Sequence, residues 1–152
     1  MKLVKVNRIF YDMCVANGVD QEIMMNKNGR PCVLIVHLTF RGIVRDFVVP
    51  LRSNISPITP SWQYCSLPPD KHTKPKFRHG IHYIKLFPIL PKYIDKYHVN
   101  GDKFYATLQK VINRKEKEII DSCQEYLTRY EQGDKHSMTP DIDGIISKVL
   151  DI

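Results

Sequence analysis

The strongest constraint on the fold is a pair of β-forming runs separated by two residues. Residues 32–40 (CVLIVHLTF) and 43–49 (IVRDFVV) flank Arg41-Gly42. Both runs are rich in β-branched and aromatic residues, which favour strands, and a two-residue turn containing glycine predicts an antiparallel hairpin. The first run is apolar almost throughout, so both of its faces are predicted to be buried.

The elements around this hairpin predict an α+β fold in one domain that spans residues 1–152. A chain of 152 residues suits a single core, and hairpins without βαβ alternation are typical of α+β proteins. The flanking elements are predicted in this order: an edge strand at 2–6, a helix from Asn7 to about Ala16, a strand at 81–89, a helix from Asp102 to about Gln132, and a final helix beginning near Thr139-Pro140.

Positive charge is concentrated in one segment. The chain carries a net charge of +7. Residues 70–98 hold seven lysine and arginine side chains against two aspartates, together with four of the six histidines. Local excess charge of this kind is typical of a surface that binds phosphate groups, although a solvated basic loop has the same composition.

Cysteine spacing and the N-terminal residues predict a cytoplasmic protein with reduced thiols. Polar residues interrupt any apolar region within the first 12 positions, which argues against a signal peptide. No apolar run approaches the roughly 18 residues needed to span a bilayer, which argues against a membrane partner. No C-x-x-C pair occurs among the four cysteines, which are Cys14, Cys32, Cys65 and Cys123.

No metal or other cofactor is expected. His79 and His82 are three residues apart, so on a strand their side chains point to opposite faces. Neither has a cysteine or a carboxylate beside it in the sequence.

The best local group of functional residues lies where the hairpin gives way to a long segment, 50–79, that is predicted to be irregular. Arg52, Ser53 and Asn54 follow the second strand directly. A strand end is a rigid platform, the planar guanidinium of arginine can contact phosphate with two hydrogen bonds, and serine and asparagine add short donors. The alternative is that Ser53 and Asn54 only cap a turn while Arg52 lies in solvent.

The histidine-rich segment adds candidates for proton transfer. Imidazole exchanges protons near neutral pH and suits acid–base catalysis. Two-metal nucleases need clustered carboxylates, whereas residues 50–98 contain only Asp70 and Asp95. The pattern therefore favours metal-free cleavage of RNA by its own 2′-hydroxyl over metal-assisted cleavage of DNA.

Two segments resemble a known family of toxins. Residues 47–55 (FVVPLRSNI) after a hairpin resemble the family's aliphatic-Pro-Leu-Arg/Thr-Ser segment, and residues 80–85 (GIHYIK) resemble its Gly-Ile/Leu-x-x-x-Lys strand before a second proline. Long helices complete the chain in the same order. The chain thus resembles the ToxN/AbiQ-like endoribonuclease toxins of type III toxin–antitoxin systems, particularly the CptN branch.

The resemblance implies a fold and a set of site residues. The fold would be a strongly twisted antiparallel, SH3-like barrel-type sheet related to the MazF/Kid core, flanked by helices with long ones at the C-terminus. The implied catalytic residues are Arg52, Ser53, His72 and Lys85. It also places Arg30 near the family's basic position before the first hairpin strand. Together with the charge pattern described above, it predicts an RNA-binding groove with these residues: Arg30, Asn54, Lys71, Lys74, Lys76, Arg78, His79 and His82. The stretch from Ser56 to Pro69 looks like an insertion relative to shorter family members.

The resemblance also implies an activity and partners. The activity would be sequence-specific, metal-independent cleavage of cellular RNA that leaves a 2′,3′-cyclic phosphate, in a system of phage defence. The inhibitor would be a pseudoknot antitoxin RNA, cut by the toxin from a repeat transcript and held in a closed protein–RNA assembly. Two alternatives remain open: a non-catalytic RNA-binding module, and a MazF-type ribonuclease with a protein antitoxin.

Overall fold

Seven strands and four α-helices form the described part of the chain, which comprises residues 1–25, 31, 33–98 and 101–151 of a computed structural model. The strands are β1 (Leu3–Val6), β2 (Val33–Phe40), β3 (Ile43–Ile55), β4 (Tyr64–Leu67), β5 (Arg78–His82), β6 (Phe87–Ile89) and β7 (Ile94–Lys96). The helices are α1 (Arg8–Ala16), α2 (Lys103–Arg114), α3 (Glu116–Glu131) and α4 (Ile142–Ile145), which continues as a π-helical turn at Ile146–Leu150. Short 3₁₀ turns occupy Ser61–Gln63, Tyr83–Lys85 and Pro91–Tyr93.

The strands form a sheet in the order β4-β5-β3-β2-β1-β7, and β6 also pairs with β3. Every described pair is antiparallel. The sheet curls into a half-barrel flanked by helices, which confirms the predicted α+β fold. The prediction that residues 2–6 form an edge strand is wrong, because β1 pairs with β2 on one side and with β7 on the other.

The predicted hairpin is confirmed. β2 and β3 pair from Phe40↔Ile43 at the turn to Val33↔Pro50. The two turn residues have positive φ angles, 49° at Arg41 and 79° at Gly42. Two consecutive turn residues with positive φ give a turn whose twist matches that of the strands it joins.

β3 is longer than predicted, because it continues through Pro50 to Ile55. Its other edge pairs with β6 at residues 46–48 and with β5 from Leu51 onward. Proline has no backbone N–H for a strand ladder, and Pro50 lies between these two partners, where neither pairs with it. The segment 50–79 is therefore less irregular than predicted, since it also contains β4 and a 3₁₀ turn.

Helices α1 and α2 begin at local capping residues. Asn7 caps α1 as predicted, its side chain accepting a hydrogen bond from the Phe10 amide. Asp102 caps α2 by accepting from the amides of Phe104 and Tyr105. The single helix predicted up to Gln132 is instead two, separated at Lys115, whose φ of −103° and ψ of 11° are not helical.

Aromatic packing joins the helices to the sheet in one contiguous core. Phe10 of α1 stacks on Phe87 of β6 with ring centroids 5.5 Å apart and planes 9° apart. Phe40 of β2 meets Tyr130 of α3 edge to face. Offset-stacked and edge-to-face arrangements are the favourable ones for aromatic rings.

The three described cysteines, Cys14, Cys65 and Cys123, are buried free thiols, whereas Cys32 lies outside the described residues. Burial raises the pKa of the Cys14 thiol to about 12, with a smaller contribution from Asp20. A thiol with so high a pKa is a packing residue and not a nucleophile. Among the described helices, none combines the length and apolar character needed to cross a bilayer.

Candidate active site

A β-bulge in β3 forms the centre of the candidate site. Two register pairs bracket it: Arg52 with Gly80, and Ile55 with Arg78. Between these pairs β3 contains Ser53 and Asn54, whereas β5 contains only His79. A bulge of two residues opposite one redirects side chains and is frequent beside active sites.

Ser53 is held by a carboxylate. Its hydroxyl donates a 2.7 Å hydrogen bond to Oδ2 of Asp70. The other carboxylate oxygen accepts from the His72 amide at 2.8 Å and from the Thr73 hydroxyl at 3.0 Å. Burial acts to raise the pKa of Asp70, but these three hydrogen bonds outweigh it and the pKa lies below its usual value. Asp70 is therefore ionised at neutral pH.

His79 lies on the buried side of the Ser53–Asp70 pair. Its Nδ1 lies 2.7 Å from the Pro68 carbonyl oxygen. Because a carbonyl only accepts hydrogen bonds, Nδ1 carries a proton. The Nε2 atom lies 3.8 Å from Oδ2 of Asp70, which is within ion-pair range but too long for a hydrogen bond. The ring is 4% exposed and stacks on Phe104 of α2, so it supports Asp70 from the interior.

The loop after Asp70 is fixed to the bulge through Asn54. The Asn54 side chain donates to the His72 carbonyl at 3.0 Å and accepts from the Lys74 amide at 2.8 Å. Both the amide and the carbonyl group of His72 are thus hydrogen-bonded, to Asp70 and to Asn54, while its side chain is exposed. The basic side chains of this loop are also exposed: Lys71, Lys74, Lys76 and Arg78.

A second cluster begins at Arg52. One guanidinium nitrogen of Arg52 lies 3.3 Å from Nδ1 of His82. Because guanidinium only donates, His82 accepts through Nδ1. Burial, reinforced by the positive charges of Arg52, Lys85 and His136, lowers the pKa of His82 to about 3. His82 is 2% exposed and neutral at ordinary pH, so it orients Arg52 and is unsuited to donate protons.

Lys85 belongs to the same cluster and is engaged by Glu22. The lysine ammonium lies 2.7 Å from the Glu22 carboxylate and 3.1 Å from the Glu22 carbonyl oxygen. The Lys85 side chain is 7% exposed. The hydrogen bond and charge of Lys85 lower the pKa of Glu22, with a smaller contribution from Arg52. Lys85 lies in a 3₁₀ turn and not on the strand predicted from the sequence.

The candidate residues thus fall into two clusters. Consecutive side chains on a strand leave it on opposite faces, and the contacts agree, since Arg52 reaches His82 while Ser53 reaches Asp70. The described structure leaves His79 and His82 little surface for direct contact with RNA. Arg30 lies outside the described residues.

Sequence reasoning did not assign a role to Asp70 or to Glu22. The available signal for Asp70 was its position as a lone carboxylate at the start of the basic segment. Glu22 carries no comparable sequence signal, because its partner Lys85 lies 63 residues away. Across the part of the chain that the structure describes, no three His, Cys, Asp or Glu side chains are grouped to hold a metal ion.

The fold defines the class of protein: an α+β domain built on a curled antiparallel half-barrel with flanking helices. A solved structure of this class, from work described as "A processed non-coding RNA regulates a bacterial antiviral system", is similar over 100% of this chain and 99% of its own, with a TM-score of 0.74. The two sequences are 13% identical, so the likeness is one of fold. No protein-family model and no curated protein matches the chain.

Proposed function

We propose that this chain is a sequence-specific, metal-independent endoribonuclease toxin of a type III toxin–antitoxin system, acting in the cytoplasm. The observation that carries the proposal is the hydrogen bond between Ser53 and the ionised Asp70, at a bulge bordered by exposed cations. The likeness of fold to a protein from an RNA-regulated antiviral system supports it.

The chemistry assigned to this site is attack by a ribose 2′-hydroxyl on the adjacent phosphorus. The new bond joins the 2′-oxygen to phosphorus while the bond from phosphorus to the 5′-oxygen breaks. The products are a 2′,3′-cyclic phosphate and a 5′-hydroxyl. Ser53 accepts the 2′-hydroxyl proton as its own proton passes to Asp70, because the two oxygens are already 2.7 Å apart. A serine alone is too weak a base, and the carboxylate supplies the basicity.

His72 is assigned to protonate the leaving 5′-oxygen. Its backbone is hydrogen-bonded to Asp70 and Asn54, which holds the residue beside the bulge, and its imidazole is exposed. The exposed side chains of Lys71, Lys74, Lys76 and Arg78 would hold neighbouring phosphates, since lysine and arginine provide most contacts to a nucleic-acid backbone.

Arg52 and Lys85 are assigned to phosphate binding from the second cluster. Their neighbours differ: Arg52 is half-buried and oriented by the neutral His82, whereas Lys85 is engaged by Glu22. Because Arg52 and Ser53 leave β3 on opposite faces, the phosphate bound by Arg52 and Lys85 is a different one from the phosphate at Ser53. In this proposal a phosphate replaces the Glu22 carboxylate at the Lys85 ammonium.

The proposed partner is an antitoxin RNA that the protein cuts from a repeat transcript and then retains. Many phosphate contacts make release of such a product slow and salt-sensitive. The pseudoknot form of that RNA and a closed protein–RNA assembly follow from the sequence resemblance and belong to the same proposal.

The main alternative is a non-catalytic RNA-binding module. The observation that favours it is that Lys85 is already engaged by Glu22 and lies in a different cluster from Ser53. The same basic loop would then hold RNA without cutting it.

The deciding experiment is incubation of purified, RNA-free protein with mixed RNA in EDTA, followed by analysis of the new 3′ ends. The proposal requires cleavage with 2′,3′-cyclic phosphate ends. Activity that appears only when magnesium is added would overturn the assigned mechanism. Binding without cleavage under either condition would favour the non-catalytic module.

A further inference from the structure

A cavity of about 520 Å³ lies beside the Ser53–Asp70 pair. Among the described residues, one part of its lining comes from the loop that follows Asp70, and another from aromatic side chains of α2 and of the segment just after β7. The residues that matter here are Asp70, Lys71, His72, Tyr97, Phe104 and Tyr105. Its volume lies within the range of roughly 300–1,000 Å³ found for small-ligand sites.

The aromatic part of the lining is ordered by ring contacts. Phe104 and Tyr105 meet at 5.5 Å with planes 70° apart, and Tyr105 meets Tyr97 at 5.8 Å with planes 75° apart. All three side chains are half-buried, so each keeps accessible surface. On the protein side, Phe104 stacks on His79 at 6.2 Å with planes 27° apart. Half-buried rings anchored in this way are the usual surfaces on which unpaired bases stack.

The charges around the cavity select the part of a nucleotide that enters it. Two carboxylates, Asp70 and Asp102, line it and disfavour an anionic phosphate inside. An uncharged base fits these surroundings better than a phosphate does. Lys71 also lines the cavity and is exposed to solvent, where it can contact the phosphate attached to that base.

We propose that this cavity is a base-recognition subsite that holds one unpaired RNA base next to the scissile phosphate. The position of this base next to a phosphate that is cleaved rests on the proposed function, whereas the binding of a base in the cavity does not. The link is Asp70, which lines the cavity and also accepts the Ser53 hydrogen bond. A base held there places its own sugar–phosphate unit beside Ser53, so the subsite determines which sequence is presented to the site.

The test measures binding of short single-stranded RNAs in which one nucleotide at a time is abasic. The RNAs carry a 2′-deoxy sugar at the mapped cut so that they stay intact; if no cut is found, an all-ribose 12-mer of mixed sequence is used. Wild-type protein is expected to lose about tenfold or more in affinity at one abasic position. In the Phe104→Leu variant, an abasic nucleotide at that same position should cause little further loss of RNA affinity. The Phe104→Tyr variant, which keeps the ring, should behave like the wild type.

Equal sensitivity of wild type and Phe104→Leu to every abasic position would overturn the subsite. Tyr97→Leu, at the half-exposed edge of the same aromatic group, provides a second variant if Phe104→Leu fails to fold. The two proposals fail separately. If RNA is cleaved in EDTA but no abasic position depends on the Phe104 ring, the subsite is excluded and the nuclease proposal stands. If one abasic position depends on that ring but no RNA is cleaved, the nuclease is excluded and the subsite stands.

Discussion

Lys85 and Glu22 are 63 residues apart in the chain, yet the lysine ammonium lies 2.7 Å from the glutamate carboxylate. The backbone of Glu22 has a φ of 65°, a conformation that costs free energy for a residue other than glycine. The loop that follows α1 is thus attached to the 3₁₀ turn between β5 and β6 through an ion pair with one buried and one half-exposed side chain.

Glu22→Gln removes the negative charge that competes with phosphate for Lys85. The expected result is RNA binding tighter by up to about tenfold, measured by fluorescence polarisation, because a charge-assisted contact becomes available to the RNA. Lys85→Gln should weaken binding, while Lys117→Gln, which changes an exposed lysine paired with Asp121 on α3, is the matched control. Weaker binding by Glu22→Gln would mean that the pair serves only to hold the loop.

Asp70→Asn keeps the shape of the side chain and removes the charge that accepts the Ser53 proton. The rate of RNA cleavage should fall about a hundredfold or more, the usual effect of losing a general base. Because the pKa of Asp70 lies below its ordinary value, its protonation should not limit activity at pH 5 or above. Asp121→Asn, on the exposed face of α3, should cleave at the wild-type rate. An active Asp70→Asn variant would exclude the proton route through Ser53.

His82 should make the fold sensitive to acid. Its pKa is about 3 in the folded protein, against about 6.5 for an ordinary histidine, so between these values the unfolded chain binds a proton that the folded chain does not. The free energy of unfolding should therefore fall as the pH is lowered from 6.5 towards 3, by about 1 kcal/mol per pH unit from this group.

The matching variant is His82→Gln, which keeps an acceptor for Arg52 and removes the titration. Urea unfolding at a series of pH values should give a shallower dependence for this variant than for the wild type. Parallel curves would show that His82 is not the group responsible. The other acidic and basic groups are common to both proteins and cancel in the comparison.

Gly80→Ala should destabilise the sheet. A Cβ atom at this position would lie 2.5 Å from the Cys65 carbonyl oxygen, so the backbone of β4 or β5 must move. The expected loss is about 1–3 kcal/mol in the free energy of unfolding, measured with urea. Ser66→Ala changes the exposed residue paired with Gly80 and should alter stability by no more than about 0.5 kcal/mol. Equal stability of the two variants would contradict the close approach of β4 and β5.

Local sequence signals predicted the elements that depend on local energetics. The Asn7 cap and the Arg41-Gly42 turn are short-range, and both are present. The break at Lys115 was missed because the apolar periodicity continues across it. The strand at residues 94–96 was missed because three residues carry little periodicity, and only pairing with β1 makes them a strand.

The candidate site also combines residues predicted from local sequence signals with residues whose roles depend on long-range contacts. Ser53 was predicted as a functional residue because it follows a strand and precedes a long loop, but the bulge that turns it towards Asp70 depends on register with β5. The roles of Asp70 and Glu22 depend on contacts 17 and 63 residues away. No local pattern encodes such pairs, since they exist only when distant strands and loops come together.

The sequence separation of these contacts also sets when the site forms during synthesis. A chain that leaves the ribosome from its N-terminus presents Ser53 before Asp70 and Arg52 before His82, which follows 30 residues later. The aromatic side chains of α2 emerge later still. The ribosome that makes the protein is therefore not exposed to an assembled site until β5 and α2 have left the exit tunnel.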